Sequence, residues 1–169
     1  MNESSRAIRL ANADGSLEIT LAGWECPGET NGDGAYCVNV DVLVQHRLGE
    51  WRFRGDFCRI GSIEKLADWF DALGEGRKPD MLLIGGFMYP AFVFHVDGGG
   101  FNPNEYMEDY SPKSEGVFRV TLGGWPRPIW SPWSATRDES AFLNFPIVES
   151  NLRGEATELR EQLRALPPP

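Results

Sequence analysis

The residue types that build most catalytic centres are present in this chain, but their spacing indicates no known centre. His46 and His95 are far apart, whereas a metal site needs several converging His, Cys or carboxylate ligands. The three cysteines, Cys26, Cys37 and Cys58, form no CxxC pair, and neither GxSxG nor a Cys–His arrangement is present. The sequence therefore predicts no catalytic residue, no metal site and no cofactor.

Two weak matches to ligand-binding loops occur close together. Gly98–Gly99–Gly100 has the glycines of a phosphate loop, but no GKS/T follows it and no apolar helical period begins there. Four oxygen-bearing side chains nearby suggest a calcium loop, but the EF-hand alternation and its flanking helices are absent; these are Asp97, Asn102, Asn104 and Glu105. We interpret this stretch as a connection between strands.

The same connection is the strongest candidate for binding a partner. Residues 97–115 hold five carboxylates against one base, Lys113, and tyrosines lie between them. Tyrosine rings bury area at a low entropy cost, and carboxylates steer a basic partner. The predicted partner-binding residues are Asp97, Glu105, Tyr106, Glu108, Asp109 and Tyr110. The alternative is a solvated acidic loop whose tyrosines fold back onto the sheet. Residues 24–34 are a smaller acidic stretch, with three carboxylates and no Lys or Arg.

A second distinctive segment spans residues 125–133, with three Trp and three Pro. The prolines favour an extended backbone, and the indoles give it a large apolar load. The segment could bind a ligand or a partner. We favour a structural role, in which it covers an open barrel end or a sheet edge and turns its indoles inward, because Trp is highly buried on average.

Charge limits the class of partner. The chain has 169 residues, 25 acidic and 16 basic, and a formal charge of −9. That excess argues against a nucleic-acid binder, which needs Lys and Arg clustered on one face, and against docking on an anionic membrane. We expect the partner to be a basic protein. The sequence does not indicate an oligomeric state.

The length fits a single domain over residues 1–169. The first ten residues lack the apolar region of a signal peptide, and no apolar run approaches the ~20 residues of a membrane span. We therefore expect a cytoplasmic protein with reduced thiols. Cys37 and Cys58 adjoin strand hydrophobics and are interpreted as small packing groups, whereas Cys26 is expected to be the most exposed.

Alternation of apolar and polar residues predicts several strands. Residues 17–21 alternate with Leu17, Ile19 and Leu21 on one face, and residues 36–45 alternate around a row of valines. A turn at residues 48–50 leads into 51–54 and predicts an antiparallel hairpin. Further strands are predicted over 81–84, 91–96 and 117–122.

Helical periodicity occurs twice. From Ser62, a predicted N-cap with Glu64 in the first turn, one apolar stripe runs to a stop at Gly74 and Gly76. Trp69 is expected to widen that stripe, which consists of Ile63, Leu66, Ala67, Phe70 and Leu73. A second helix is predicted after a cap at Ser150 or Asn151, with Leu152, Ala156, Leu159, Leu163 and Leu166 on one face. The predicted fold class is α+β: a curved antiparallel sheet, or two packed sheets, of roughly six to eight strands with two amphipathic helices.

Six features occur along the chain in a distinctive order: residues 17–19, the turn Gly23–Trp24–Glu25–Cys26–Pro27, the valine strand, Trp51, residues 61–73, and the C-terminal stretch 151–167. This order resembles the WapI-type bacterial immunity proteins and related uncharacterised bacterial proteins. One segment departs from the pattern, since residues 86–90 read Gly-Phe-Met-Tyr-Pro where the family tends to show Phe-x-Glu-Pro.

The resemblance implies a bacterial protein that neutralises a cognate toxin by binding its toxic domain. It supplies no catalytic residues. The competing hypotheses are a small-ligand carrier or unrecognised enzyme with a pocket inside the curved sheet, and a subunit of a larger assembly.

Overall fold

The structure, a computed structural model, describes residues 7–13, 15–28, 37–46, 49–84, 92–96, 117–122, 141–147 and 150–167. Strands and helices make up most of this part, and the predicted α+β class with antiparallel pairing is confirmed. In chain order the elements are β1 (Ile8–Ala11), β2 (Gly15–Trp24), β3 (Cys37–His46), β4 (Gly49–Arg59), α1 (Ile60–Gly74), β5 (Leu82–Ile84), β6 (Phe92–Val96), β7 (Val117–Leu122), β8 (Ala141–Pro146) and α2 (Leu152–Ala165).

Strands β1 to β4 form the first sheet, in that spatial order and antiparallel throughout. The predicted alternation is confirmed, because one face is buried; it carries Leu17, Ile19 and Leu21 of β2 and Val38, Val40, Val42 and Val44 of β3. Strand β1 was not predicted. It is four residues long, so its alternation of buried and exposed residues repeats only twice, at Ile8 and Leu10.

The prediction that Ser62 caps the first helix is wrong. Strand β4 pairs with β3 as far as Arg59, which lies opposite Cys37, and α1 begins directly at Ile60. Arg59 occupies the N-cap position but makes no side-chain capping hydrogen bond, and Glu64 falls after the first turn. The pairing with β3 extends the strand further than local sequence signals indicate. The end of the helix at Gly74 is as predicted, and Gly76 has φ 77°.

Strands β5 to β8 form a second antiparallel sheet, in chain order. The chain thus takes the two-sheet alternative rather than a single curved sheet. Strand β8 was not predicted, although Leu143 and Phe145 alternate in it. Its side chains join the core beside Phe94 and Phe118, all with at most 2% exposed area.

Helix α1 packs on the second sheet through aromatic rings. The Trp69 ring meets those of Phe70, Phe94 and Phe118 edge-on, at centroid distances of 5.7–5.9 Å. Its indole N–H donates to the carbonyl oxygen of Asp80, 2.7 Å away. The prediction that Trp69 widens the apolar stripe is therefore confirmed, and the widened stripe anchors the helix to the sheet.

Helix α2 covers the β1 edge of the first sheet. Two of its buried polar side chains accept hydrogen bonds from strand backbone: Glu155 from the amide of Arg9 at 2.9 Å, and Gln162 from the amide of Leu21 at 2.8 Å. Strand amides at an edge need such partners when a helix removes them from water. Asn151 occupies the predicted N-cap position but makes no side-chain capping hydrogen bond.

The two helices also pack against each other and are joined by an ion pair. The guanidinium of Arg160 contacts Asp71 at 2.6 Å and Asp68 at 2.7 Å. Buried residues of both sheets and both helices form one hydrophobic cluster. The helix pair therefore connects the two sheets.

Candidate partner-binding surface

The six residues predicted to bind a partner lie outside the part that the structure describes; they are Asp97, Glu105, Tyr106, Glu108, Asp109 and Tyr110. The positions where the chain enters and leaves their segment are nevertheless fixed by strand pairing. It leaves β6 at Val96, opposite Phe118, and re-enters at Val117, opposite Pro146. Both ends of the acidic segment thus meet the second sheet at one end of its strands.

The Trp- and Pro-rich residues 125–133 also lie outside the described residues. The chain leaves β7 at Leu122, opposite Phe92 and Ala141, and re-enters at Ala141 itself. Since β6 and β7 are antiparallel, this is the end of the second sheet opposite to Val96 and Val117. The two candidate segments are therefore attached to opposite ends of the same sheet, which the sequence did not indicate.

The first sheet offers a polar surface that the sequence analysis did not single out. We call it the outer face, the side opposite the buried valines. Cross-strand pairing arranges it in rows: Arg9, Glu18, Leu43 and Arg52 form one row across all four strands, and Thr20, Asp41 and Arg54 form the next. Its signal was the second half of the period-two alternation, in which every other residue is polar.

The charged side chains of the outer face neutralise one another. Arg9 contacts Glu18 at 3.2 Å, Arg52 contacts Glu50 at 2.7 Å, and Arg54 makes a two-point contact with Asp41. Within these three pairs, three arginines match three carboxylates, so the pairs add nothing to the net charge of −9. Because the pairs are exposed, each contributes little to stability.

Two of these pairs shift the pKa of Glu50, Arg52 and Arg54 in the direction expected for an ion pair. Hydrogen bonds from Arg52 and Gln45 hold the pKa of the Glu50 carboxyl below its ordinary value. The reciprocal hydrogen bond raises the pKa of Arg52, and the contact with Asp41 raises that of Arg54. Each of these shifts favours the charged form of Glu50, Arg52 or Arg54, and so favours the ion pairs near neutral pH.

A shallow depression of about 410 Å³ lies on the outer face. Its lining residues come from β2, β3 and β4; they are Glu18, Thr20, Asp41, Val42, Leu43, Arg52, Phe53 and Arg54. It is open to solvent. It therefore differs from the pocket inside a curved sheet that the small-ligand hypothesis requires.

Strand pairing brings the three cysteines to one end of the first sheet, whereas the sequence showed no close pairing. Cys37 begins β3 and lies opposite Arg59, and Val38 lies opposite Cys58. On the other side, the amide of Glu25 donates to the carbonyl oxygen of Cys37 at 3.0 Å, and Cys26 follows directly. Cys26 and Cys37 are both partly exposed.

Searches of the described residues for two further features were negative. No three side chains of the types His, Cys, Asp and Glu come together there as a metal site would require. None of the helices in that part is long and apolar enough to cross a membrane.

Comparison with known proteins supplies the deciding observation. A protein-family model, described as the immunity protein WapI-like family, matches residues 9–167, nearly the whole chain. The chain belongs to the WapI-like immunity protein family. The comparisons with curated proteins and with solved structures found no match.

Family membership confirms the resemblance and suggests an immunity role without catalysis. The residues that carry the resemblance belong to the framework of this WapI-like protein. Gly23, with φ 115°, lies at the irregularity where β2 changes register against β3. The indole of the neighbouring Trp24 donates to the carbonyl oxygen of Pro167, which ties the end of the C-terminal stretch to β2. The shared motifs therefore explain the fold and leave the interface to be located by experiment.

Proposed function

We propose that this chain is a cytoplasmic, single-domain immunity protein that neutralises a cognate bacterial toxin by binding and occluding its toxic domain. The observation that carries the proposal is the match to the WapI-like immunity family over residues 9–167. Inhibition by occlusion needs a complementary surface and no reacting groups. It therefore agrees with a sequence that has no catalytic pattern.

The contact surface that we propose is the acidic segment between β6 and β7. The three ion pairs on the outer face of the first sheet carry no net charge, so they do not account for the acidic excess. Residues 97–115 carry five carboxylates and one lysine, a net −4, which is a large share of the total −9. A basic toxic domain would be attracted to this segment, and its association would be accelerated.

Charge reversal tests the proposed contact. The double variant Glu108→Lys/Asp109→Lys should associate with the toxic domain roughly ten-fold more slowly at low salt, and the difference should shrink as salt screens the charges. A matched control is Glu64→Lys/Glu161→Lys, which changes the net charge equally at exposed positions of α1 and α2. Association rates are measured by surface plasmon resonance.

The control separates a local contact from a general effect of net charge. If both double variants slow association equally, the acidic segment is not the contact, although the immunity role stands. If the wild-type chain does not bind the toxic domain encoded beside it, the immunity role itself is contradicted.

The small-ligand alternative receives no support from the described interior. Between α1 and the second sheet the space is filled by large side chains, with Phe70, Phe94, Phe118 and Phe145 all fully buried. The depression described above lies on the outer face and is open. We therefore carry only the immunity function forward.

A further inference from the structure

The end of the first sheet where β2 meets β3 places two cysteines next to each other. Register pairs Trp24 with Val38, and the hydrogen bond from Glu25 to Cys37 extends the same ladder by one residue. Cys26 is the next residue after Glu25. It is therefore a diagonal neighbour of Cys37 across the ladder.

The backbone spacing of such neighbours suits a disulfide. Opposite residues of an antiparallel pair have Cα atoms ~5 Å apart, and consecutive Cα atoms of any chain are ~3.8 Å apart, which gives a diagonal of about 6 Å. Disulfides join Cα atoms between ~4.4 and ~6.8 Å apart. Both residues are partly exposed, so a small oxidant can reach either thiol.

Cys26 and Cys58 are each offset by one residue from a position opposite Cys37, which Glu25 holds on one side and Arg59 on the other. Cys58 lies inside the paired part of β4. Cys26, in contrast, lies after the end of β2, in a bend that leads to a turn at Pro27 and Gly28, where Gly28 has φ 88°. Strand alternation no longer fixes its direction there.

We propose that Cys26 and Cys37 form an oxidation-sensitive pair that a peroxide converts to a disulfide. One thiolate attacks the peroxide oxygen, the O–O bond breaks, and a sulfenic acid and water form. The second thiolate attacks that sulfur and displaces a second water, so two thiols and one hydrogen peroxide give one disulfide and two waters. The two sulfurs lose two electrons in total, and the peroxide oxygens gain them.

The disulfide would close the connection between β2 and β3 into a ring. The ten residues 27–36 lie between the two cysteines, and Trp24, which holds Pro167, lies at its base. Oxidation would thus constrain this end of the sheet without touching the helix pair. This role is independent of the immunity function proposed above.

Tryptic digestion distinguishes the possible products. No Lys or Arg occurs between residues 10 and 46, so Cys26 and Cys37 fall in one peptide, 10–47, whereas Cys58 falls in peptide 55–59. The full-length native protein is treated with stoichiometric hydrogen peroxide, alkylated and digested. We expect peptide 10–47 to carry no alkyl group and to be lighter by two hydrogens, and dithiothreitol to reverse both changes. Cleavage after Glu29 should leave its two parts joined.

Variants and a denatured control complete the test. Cys58→Ser should leave the product unchanged, and Cys26→Ser should abolish it while Cys37 remains alkylatable after reduction. Oxidation in denaturing urea should mix the pairings, because the fold no longer selects Cys26. The proposal is overturned if native protein links peptide 10–47 to 55–59, or if both cysteines of 10–47 remain alkylatable while Cys58 is oxidised.

Discussion

The backbone amide of Leu21 in β2 donates a hydrogen bond to the side-chain oxygen of Gln162 in α2, at 2.8 Å. Gln162 is 4% exposed, so the bond is shielded from water. The pairing of β1 with β2 ends at Ile19, which leaves this amide beyond the end of β1. Gln162 therefore supplies, from a helix, a partner that the neighbouring strand does not.

Replacement of Gln162 by leucine keeps most of the volume and removes the acceptor. We expect Gln162→Leu to lower the free energy of unfolding by about 1–3 kcal/mol, because the amide of Leu21 is left buried without this partner. Guanidinium denaturation measures the change. The control Glu161→Ala, on the exposed side of the same helix, should stay within about 0.5 kcal/mol. Equal stability of the two variants would contradict the assigned role.

The ion pairs of Arg160 should be unequal in strength. Asp68 is 76% exposed and Asp71 is 29% exposed. The hydrogen bond to Asp68 is the largest cause that raises the pKa of Arg160 above its ordinary value, and the hydrogen bond to Asp71 is the next. Asp71→Asn should therefore destabilise by about 1 kcal/mol and Asp68→Asn by less than about 0.5 kcal/mol. Thermal unfolding of the two variants measures which one is destabilised more. A larger loss for Asp68→Asn would show that burial of the carboxylate does not set the strength of the pair.

Two glycine-to-alanine substitutions should change the stability of the fold in opposite directions. A Cβ at Gly15 would overlap the carbonyl oxygen of Gln45 in β3, a backbone atom that cannot move aside. Gly15→Ala should therefore destabilise the first sheet by about 1–3 kcal/mol. Gly61→Ala, in the exposed first turn of α1 with nothing within 4 Å of the new Cβ, should stabilise by about 0.5–1 kcal/mol. Differential scanning calorimetry of the pair tests both signs.

The Glu50–Arg52 pair predicts a local pH dependence. Because the pKa of Glu50 is lower in the folded chain than in the unfolded one, the pair contributes stability above the unfolded pKa, and that stability is lost as pH falls through the folded pKa. An NMR titration should find the pKa of the Glu50 carboxyl below its ordinary value, and Arg52→Gln should raise this pKa. Arg77→Gln, which removes a comparable pair with Glu75, should leave Glu50 unchanged. An ordinary pKa for Glu50 in the wild type would contradict the pairing with Arg52.

The elements that the sequence predicted are those with long, regular patterns. Strand β3 alternates over ten residues and α1 carries a complete apolar stripe, so local periodicity sufficed. Strands β1 and β8 were missed because, among the described side chains, each shows two that are buried in alternation, which is a short pattern. The start of α1 was misplaced because pairing with β3, a tertiary effect, extends β4 to Arg59.

The candidate surfaces were less accessible to prediction. The rows of the outer face need a register between strands, and a single strand cannot supply it. The same holds for Cys26 and Cys37, which are separated by ten residues in the chain and adjoin only through the pairing of β2 with β3. The six acidic and aromatic residues between Asp97 and Tyr110 stay a prediction, since they lie outside the described residues.

The central claim is that the chain neutralises a toxin by binding it, and co-expression tests it most directly. The toxic domain encoded beside this chain is expressed in a sensitive host with the wild-type chain, or with an empty vector. The account predicts that only cells with the chain grow, and that an affinity tag on the chain recovers the toxic domain in a stoichiometric complex. Failure of growth and of co-purification, with both proteins soluble, would contradict the account.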